Sequence, residues 1–173
     1  IDDLVLRGSD EPYRMFTSRA EHRLILREDN ADLRLSPKGR EIGLLSQADY
    51  ERFERKRNEI EYWGRELRAF AFLPGSSASA WLESEGHPPL KDRVLADQFL
   101  KRPEVTWSRL CELGFPGQSA ATEVSEQLEI RVKYEGYIQR DRELLEGVRK
   151  SDRLHIPRDL DFESVPGLST EIR

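Results

Sequence analysis

Two stretches free of proline, Ser46 to Phe70 and Ala121 to Ser151, constrain this chain more than any other feature. In the first, Tyr50, Phe53, Ile60, Leu67 and Phe70 recur at spacings of three and seven; in the second, Ile130, Tyr134, Tyr137, Leu144 and Val148 recur at three, four and seven, with Asp141 as the one polar interruption. That period is the apolar stripe of an α-helix, and each stretch is long enough to predict one helix. Ser46 with Asp49 three residues on makes a capping box with a shortened acid. Glu51 with Arg55 and Glu61 with Arg65 are expected to pair four apart on a solvated face. Gly136 lies inside the second helix, at a cost of about 1 kcal/mol relative to Ala.

Shorter elements surround these two. Ser18 and Glu21 have the spacing of a capping box, predicting a helix that begins after Ser18. Ser36-Pro37 predicts another, with Pro at the first helical position and Gly43 at its end. Between Phe70 and Pro116 the pattern is broken by Pro74-Gly75, His87-Pro88-Pro89, Pro103 and Gly114, which leaves room only for short helices. VTWSRLCEL is one of them, capped by Thr106. No strand alternation is strong enough to predict a sheet. The fold class expected is all-α: an elongated helical domain built on two long helices, spanning 18–154, with a connector at 1–17 before it and a Pro-punctuated tail at 155–173 after it.

Composition narrows the function. Charged residues make up 35% and apolar ones 37% of 173 residues, with a net charge of −5 and a pI near 5.4. A free-standing nucleic-acid module is usually basic, so the overall balance argues against one while leaving room for a local basic strip. The single Cys111 reads as a small hydrophobe beside Leu110 and Leu113. Low cysteine use fits a reducing cytoplasm, and no apolar run reaches membrane-spanning length. The chain opens on Ile1-Asp2-Asp3 and closes on Glu171-Ile172-Arg173, and the expectation is a fragment of a longer protein.

Two clusters have the chemistry of a site. Arg19, Arg23 and Arg27 recur every four residues, within about 80° of arc if they lie on a helix. Set among Leu24, Ile25 and Leu26, their guanidinium groups need anions. Glu21, Glu28, Asp29 and Asp32 could supply them internally, and spacing alone favours that network. Phosphate oxygens, which the planar fork meets with two parallel bonds, are the alternative; a strand from Arg23 to Arg27 is a third. The second cluster joins Lys133, Tyr134, Tyr137 and Arg140 around Gly136. Basic groups with aromatics suit a nucleic-acid surface, but core packing of the tyrosines, with Gly136 admitting a close helix crossing, is the reading favoured from the residues alone. The three histidines are scattered, and no metal spacing, Gly-rich phosphate loop or nucleophile–base set occurs. By itself the chain shows no catalytic centre.

EPYRMFTSRAEHRLILREDNADLRL, from Glu11 to Leu35, resembles a signature stretch of the GidA family, also called MnmG. VKYEGYIQR (Val132 to Arg140) and VPGLSTEI (Val165 to Ile172) resemble two further landmarks of that family in the same order. The resemblance covers nearly the whole chain, although Phe70 to Ala120 carries little of it. It implies an FAD-dependent enzyme that, with an MnmE-type GTPase partner, modifies carbon 5 of the wobble uridine of tRNA. A folate carrier, methylene-tetrahydrofolate, supplies the one-carbon unit, NADH serves the flavin, and the parent is a cytoplasmic homodimer. It also implies that 1–17 ends an upstream flavin-domain segment and that 155–173 begins a C-terminal tail. The chain is expected to depart from the family pattern in three ways: it lacks the flavin-binding fold, it stops before the final helical tail that the resemblance implicates in docking the GTPase, and Asp141 stands where Gln is expected. The fragment is therefore expected to hold no FAD and to perform no chemistry alone. In light of the resemblance, tRNA phosphate contact draws level with the internal network, and Arg14, Arg19, Arg23, Arg27, Lys133, Tyr134, Tyr137 and Arg140 become the candidate tRNA-binding residues. The alternative is a structural or protein-interaction arm without RNA contact.

Overall fold

The computed structural model describes residues 22–152 together with His155 and Gly167. Eight elements follow one another among them: α1 (Ala31–Glu41), α2 (Gln47–Ala69), β1 (Ala71–Phe72), α3 (Ser77–Ser84), β2 (Val94–Leu95), α4 (Ala96–Leu100), α5 (Trp107–Glu112) and α6 (Thr122–Asp152). The chain divides into two compact units, Ile1–Ile138 and Gln139–Arg173, and α6 contributes to both.

The mainly helical class and the two longest helices stand as the apolar periods predict. Ser46 caps α2: its hydroxyl accepts from the Asp49 amide at 3.2 Å and donates to the Asp49 carboxylate at 2.6 Å. Phe70 turns extended, at ψ 143°, and ends the helix. Phe53, Ile60, Trp63 and Leu67 form the buried stripe of α2. Thr106 caps α5 by accepting from the Arg109 amide at 3.2 Å.

The core lies where the sequence pattern is weakest. From Phe72 to Phe115 the short elements fold over α2 and the start of α6. There Phe72, Leu82, Phe99, Leu100, Leu110 and Phe115 are buried against Trp63, Leu67, Val124 and Leu128. Each fully buried side chain of this size contributes roughly 1.5–3 kcal/mol. β1 pairs antiparallel with β2, Ala71 opposite Leu95 and Phe72 opposite Val94. Two residues per strand are too few for alternation to announce them. Trp107 and Phe115 meet edge to face at 5.4 Å, and the Trp107 indole donates to the Gly117 carbonyl at 3.1 Å. A Cβ at Gly117 would stand 2.7 Å from the Phe115 ring and 2.9 Å from that of Trp107, so only glycine fits. Cys111 packs half-buried against this core, and burial pushes its thiol up, as suits a small hydrophobe.

Four local expectations are corrected. The arginine stretch is not helical from His22 to Asn30 but a series of turns. The Arg27 guanidinium and the Asn30 amide donate to the carbonyls of Leu24 and Ile25, which a continuous helix would need for its own ladder. The helix begins only at Ala31, so Pro37 sits inside α1 rather than at its start; Gly43, at φ +76°, follows its end as expected. The pairs Glu51–Arg55 and Glu61–Arg65 are absent among the described residues. Arg52–Asp49 and Arg57–Glu54 pair three apart instead. On α6 the buried face is Val124, Gln127 and Leu128, whereas Tyr134, Tyr137, Leu144 and Val148 of the predicted stripe are exposed. Tyr134 and Tyr137 lie about 120° and about 180° round from Leu128, so the helix carries a second apolar face that this core does not use. The expected capping box at Ser18 and Glu21 lies outside the described residues.

Candidate functional site

The arginine stretch is built on one left-handed residue. His22, at φ 53°, starts a turn in which its carbonyl accepts from the amides of Ile25 at 2.8 Å and Leu26 at 2.9 Å. Arg23 stands at the tip of that turn, exposed, and among the described residues no hydrogen-bond or ion-pair partner meets its side chain. Four residues on, Arg27 is fully engaged. Its Nη1 donates to the Leu24 carbonyl at 2.6 Å, and its Nε and Nη2 fork onto the Asp29 carboxylate at 2.9 and 3.2 Å. The Arg27 side chain is 18% exposed. Its place beside Glu28-Asp29 makes Arg27 the arginine expected to be structural, and the turn pairs it with Asp29 while leaving Arg23 exposed.

Asp29 is the hub. Besides Arg27, its carboxylate takes a bond from Gln127 Nε2 at 2.7 Å, and the same amide reaches the Asp29 carbonyl at 2.5 Å. Burial raises the Asp29 carboxyl, but the Arg27 and Gln127 hydrogen bonds outweigh it and hold the group below the usual carboxylate range. A second tie lies alongside: Lys56 of α2 bonds Asp32 of α1 at 2.7 Å and Glu123 of α6 at 3.3 Å. Burial lowers the Lys56 ammonium, and the two carboxylates together more than reverse it, leaving it raised. Neither Gln127 nor Lys56 was singled out by sequence reasoning. For Gln127 a signal existed: it is a polar residue on the helix face shared by Val124 and Leu128.

The second cluster is only partly assembled. The Tyr134 and Tyr137 rings lie 6.4 Å apart and are 43% and 58% exposed. Among the described residues these tyrosines are not packed into a core, and a Cβ at Gly136 would meet nothing, so no helix crosses there. Lys133 turns away to bond Glu129 at 2.8 Å and the Pro103 carbonyl at 3.4 Å. Glu129 in turn accepts from the Trp107 amide at 2.8 Å at the start of α5. Lys133 is therefore part of the scaffold. Arg140 is exposed, in the unit beyond Ile138. Arg14 and Arg19 lie outside the described residues.

A shallow groove between α2 and α6, floored by Leu67 and Leu128 and rimmed by Arg68, Arg131 and Glu135, is open to solvent. Among the described residues no three His, Cys, Asp or Glu are grouped to hold a metal, and no helix is long and apolar enough to cross a membrane. Such a surface can meet phosphates through a displayed guanidinium and stack flat rings on tyrosine.

A family model described as the tRNA modifying enzyme MnmG/GidA C-terminal helical domain matches residues 47–142. Among curated proteins, the tRNA uridine 5-carboxymethylaminomethyl modification enzyme MnmG of Listeria welshimeri is 44% identical over 171 residues, covering 99% of this chain and 27% of that protein. Its namesake from Geotalea uraniireducens is 45% identical over 173 residues, covering all of this chain and 28% of the relative. Among solved structures, Aquifex aeolicus GidA in its form II crystal superposes with a TM-score of 0.69 at 34% identity, over 98% of this chain and 26% of that one. The chain thus spans about a quarter of the length of the relatives it matches.

Proposed function

The chain belongs to the MnmG/GidA family, and from that membership we propose that it is the C-terminal helical part of an enzyme that modifies carbon 5 of the wobble uridine of tRNA, contributing RNA contacts and no chemistry of its own. The observation that carries this reading is the display of Arg23. An exposed guanidinium at the tip of a pinned turn, unpaired among the described residues, suits an anion, and phosphate is the anion tRNA offers. The exposed Tyr134 and Tyr137 add ring faces suited to stacking on unpaired bases. Arg14, Arg19 and Arg140 remain candidates of the same kind, whereas Arg27 and Lys133 serve the scaffold.

FAD does not fit the residues described. The only sheet among them is a pair of two-residue antiparallel strands, and no strand leads through a Gly-rich turn into a helix, the arrangement a dinucleotide pyrophosphate requires. The flavin, and with it the use of NADH and methylene-tetrahydrofolate, is assigned to parts of the parent enzyme beyond this chain. That parent acts as a cytoplasmic homodimer with an MnmE-type GTPase.

One observation favours the other reading, a protein-interaction arm: Leu35, Ile42 and Leu44 are 58%, 62% and 78% exposed, more aliphatic surface than an RNA-facing segment needs. Ultraviolet cross-linking of tRNA to the full-length protein separates the two. The RNA reading expects adducts in the peptides bearing Arg23 and Tyr134–Tyr137. Adducts confined to other parts of the protein would favour the arm.

A further inference from the structure

We infer that Gln127 is the positioning residue for Arg23, its buried amide latching the arginine turn onto α6; the inference rests on the tRNA reading above. Gln127 is 7% exposed and, with Ser79, is one of two buried polar residues among those described. A buried amide is costly unless bonded, and this one spends its nitrogen on a single distant residue: the carbonyl of Asp29 at 2.5 Å and its carboxylate at 2.7 Å, 98 positions away in sequence.

The latch reaches Arg23 through a short chain of bonds. Asp29 holds Arg27; Arg27 Nη1 holds the Leu24 carbonyl; the next two amides, of Ile25 and Leu26, both close on His22. Arg23 lies between His22 and Leu24, so its backbone is fixed at both sides while its side chain is left open. On the other flank, Asn30 bonds the Ile25 carbonyl at 3.0 Å and takes Arg34 Nε at 2.9 Å. No residue from His22 to Asn30 is buried, so apolar packing contributes little to holding the turn. Within it, Asp29 is the residue whose polar groups are met directly by the core face of α6. An exposed arginine on an unpinned loop would lose side-chain and backbone entropy on meeting a phosphate; one on a latched turn loses less.

The test is a double-mutant cycle in the full-length protein, read by tRNA titration at two salt concentrations. Gln127→Glu keeps the shape but sets a carboxylate against the carbonyl and carboxylate of Asp29; Gln127→Leu keeps the volume without the donor. Melting and amide exchange at Ile25 and Leu26 accompany each. The expected result is faster exchange at both amides, and a tRNA affinity and salt slope that fall for either variant as they fall for Arg23→Gln. Arg23→Gln combined with Gln127→Glu should bind no worse than Arg23→Gln alone, because a residue that acts through Arg23 has nothing left to position. Additive losses, or faster exchange with unchanged binding, would overturn the positioning role while leaving the tRNA reading intact. An Arg23→Gln variant that binds tRNA like the parent would overturn both.

Discussion

The side-chain amide of Gln127 and the backbone carbonyl of Asp29 approach to 2.5 Å, joining the arginine turn to the longest helix of the chain. Around that contact the charged groups divide into those that hold the fold and those left facing outward.

Arg27→Gln should cost stability and spare RNA binding. The change removes a forked bond to Asp29 and the bond to the Leu24 carbonyl, leaving a half-buried carboxylate with Gln127 alone. A loss of about 1–3 kcal/mol is expected in denaturant unfolding. A variant as stable as the parent would show that the fork is idle.

Asp29 predicts an acid-side weakness. Its carboxyl is held lower in the folded chain than in the unfolded one, so its contribution is present above the unfolded value near 3.9 and is lost as pH falls through the lower folded value. Asp29→Asn should flatten that part of the stability profile. Profiles of equal slope for parent and variant through the acid limb would contradict this.

Lys56 predicts the mirror image. Its ammonium is raised by Asp32 and Glu123, so its contribution is full below the unfolded value near 10.4 and fades as pH rises through the higher folded value. Lys56→Met should cost about 1–2 kcal/mol at neutral pH, because both acids it releases remain partly solvated. A neutral or stabilising effect would mean that the tie between α1, α2 and α6 is ornamental.

Gly117→Ala should destabilise the core by about 1–3 kcal/mol, since the new methyl would stand 2.7 Å from Phe115 and 2.9 Å from Trp107. Thermal unfolding reads the effect directly; an unchanged melting point would show that the aromatic cluster yields without strain.

How much of this was legible in advance differs by element, for physical reasons. The cap at Ser46, the cap at Thr106 and the extents of α2 and α6 are local events, written in side chains within a few positions. The core between Phe72 and Phe115 was not legible, because helices of five to eight residues are shorter than the window in which a helical period declares itself. On α6 the period was real but the face was wrong. Two apolar faces share one helix, and periodicity does not say which of them the rest of the chain covers. The arginine stretch misled most. Its four-residue spacing fits a helix, yet side-chain bonds from Arg27 and Asn30 capture the carbonyls that a helix would need. The family resemblance singled out this segment as a candidate site, and the place of Arg27 beside Glu28-Asp29 pointed to a structural role; the bond from Gln127 to Asp29, far away in sequence, was not legible from spacing.

The most direct measurement is the salt dependence of tRNA binding by the full-length protein and its Arg23→Gln and Arg27→Gln variants. If Arg23 meets a phosphate, its loss lowers affinity whatever the RNA sequence and reduces the slope of log K against log salt by about 0.7–0.9, the share of one released counterion. Arg27→Gln, measured on folded protein, keeps the parent's slope. An Arg23→Gln variant with the parent's affinity and slope would contradict the claim that this turn displays Arg23 for RNA.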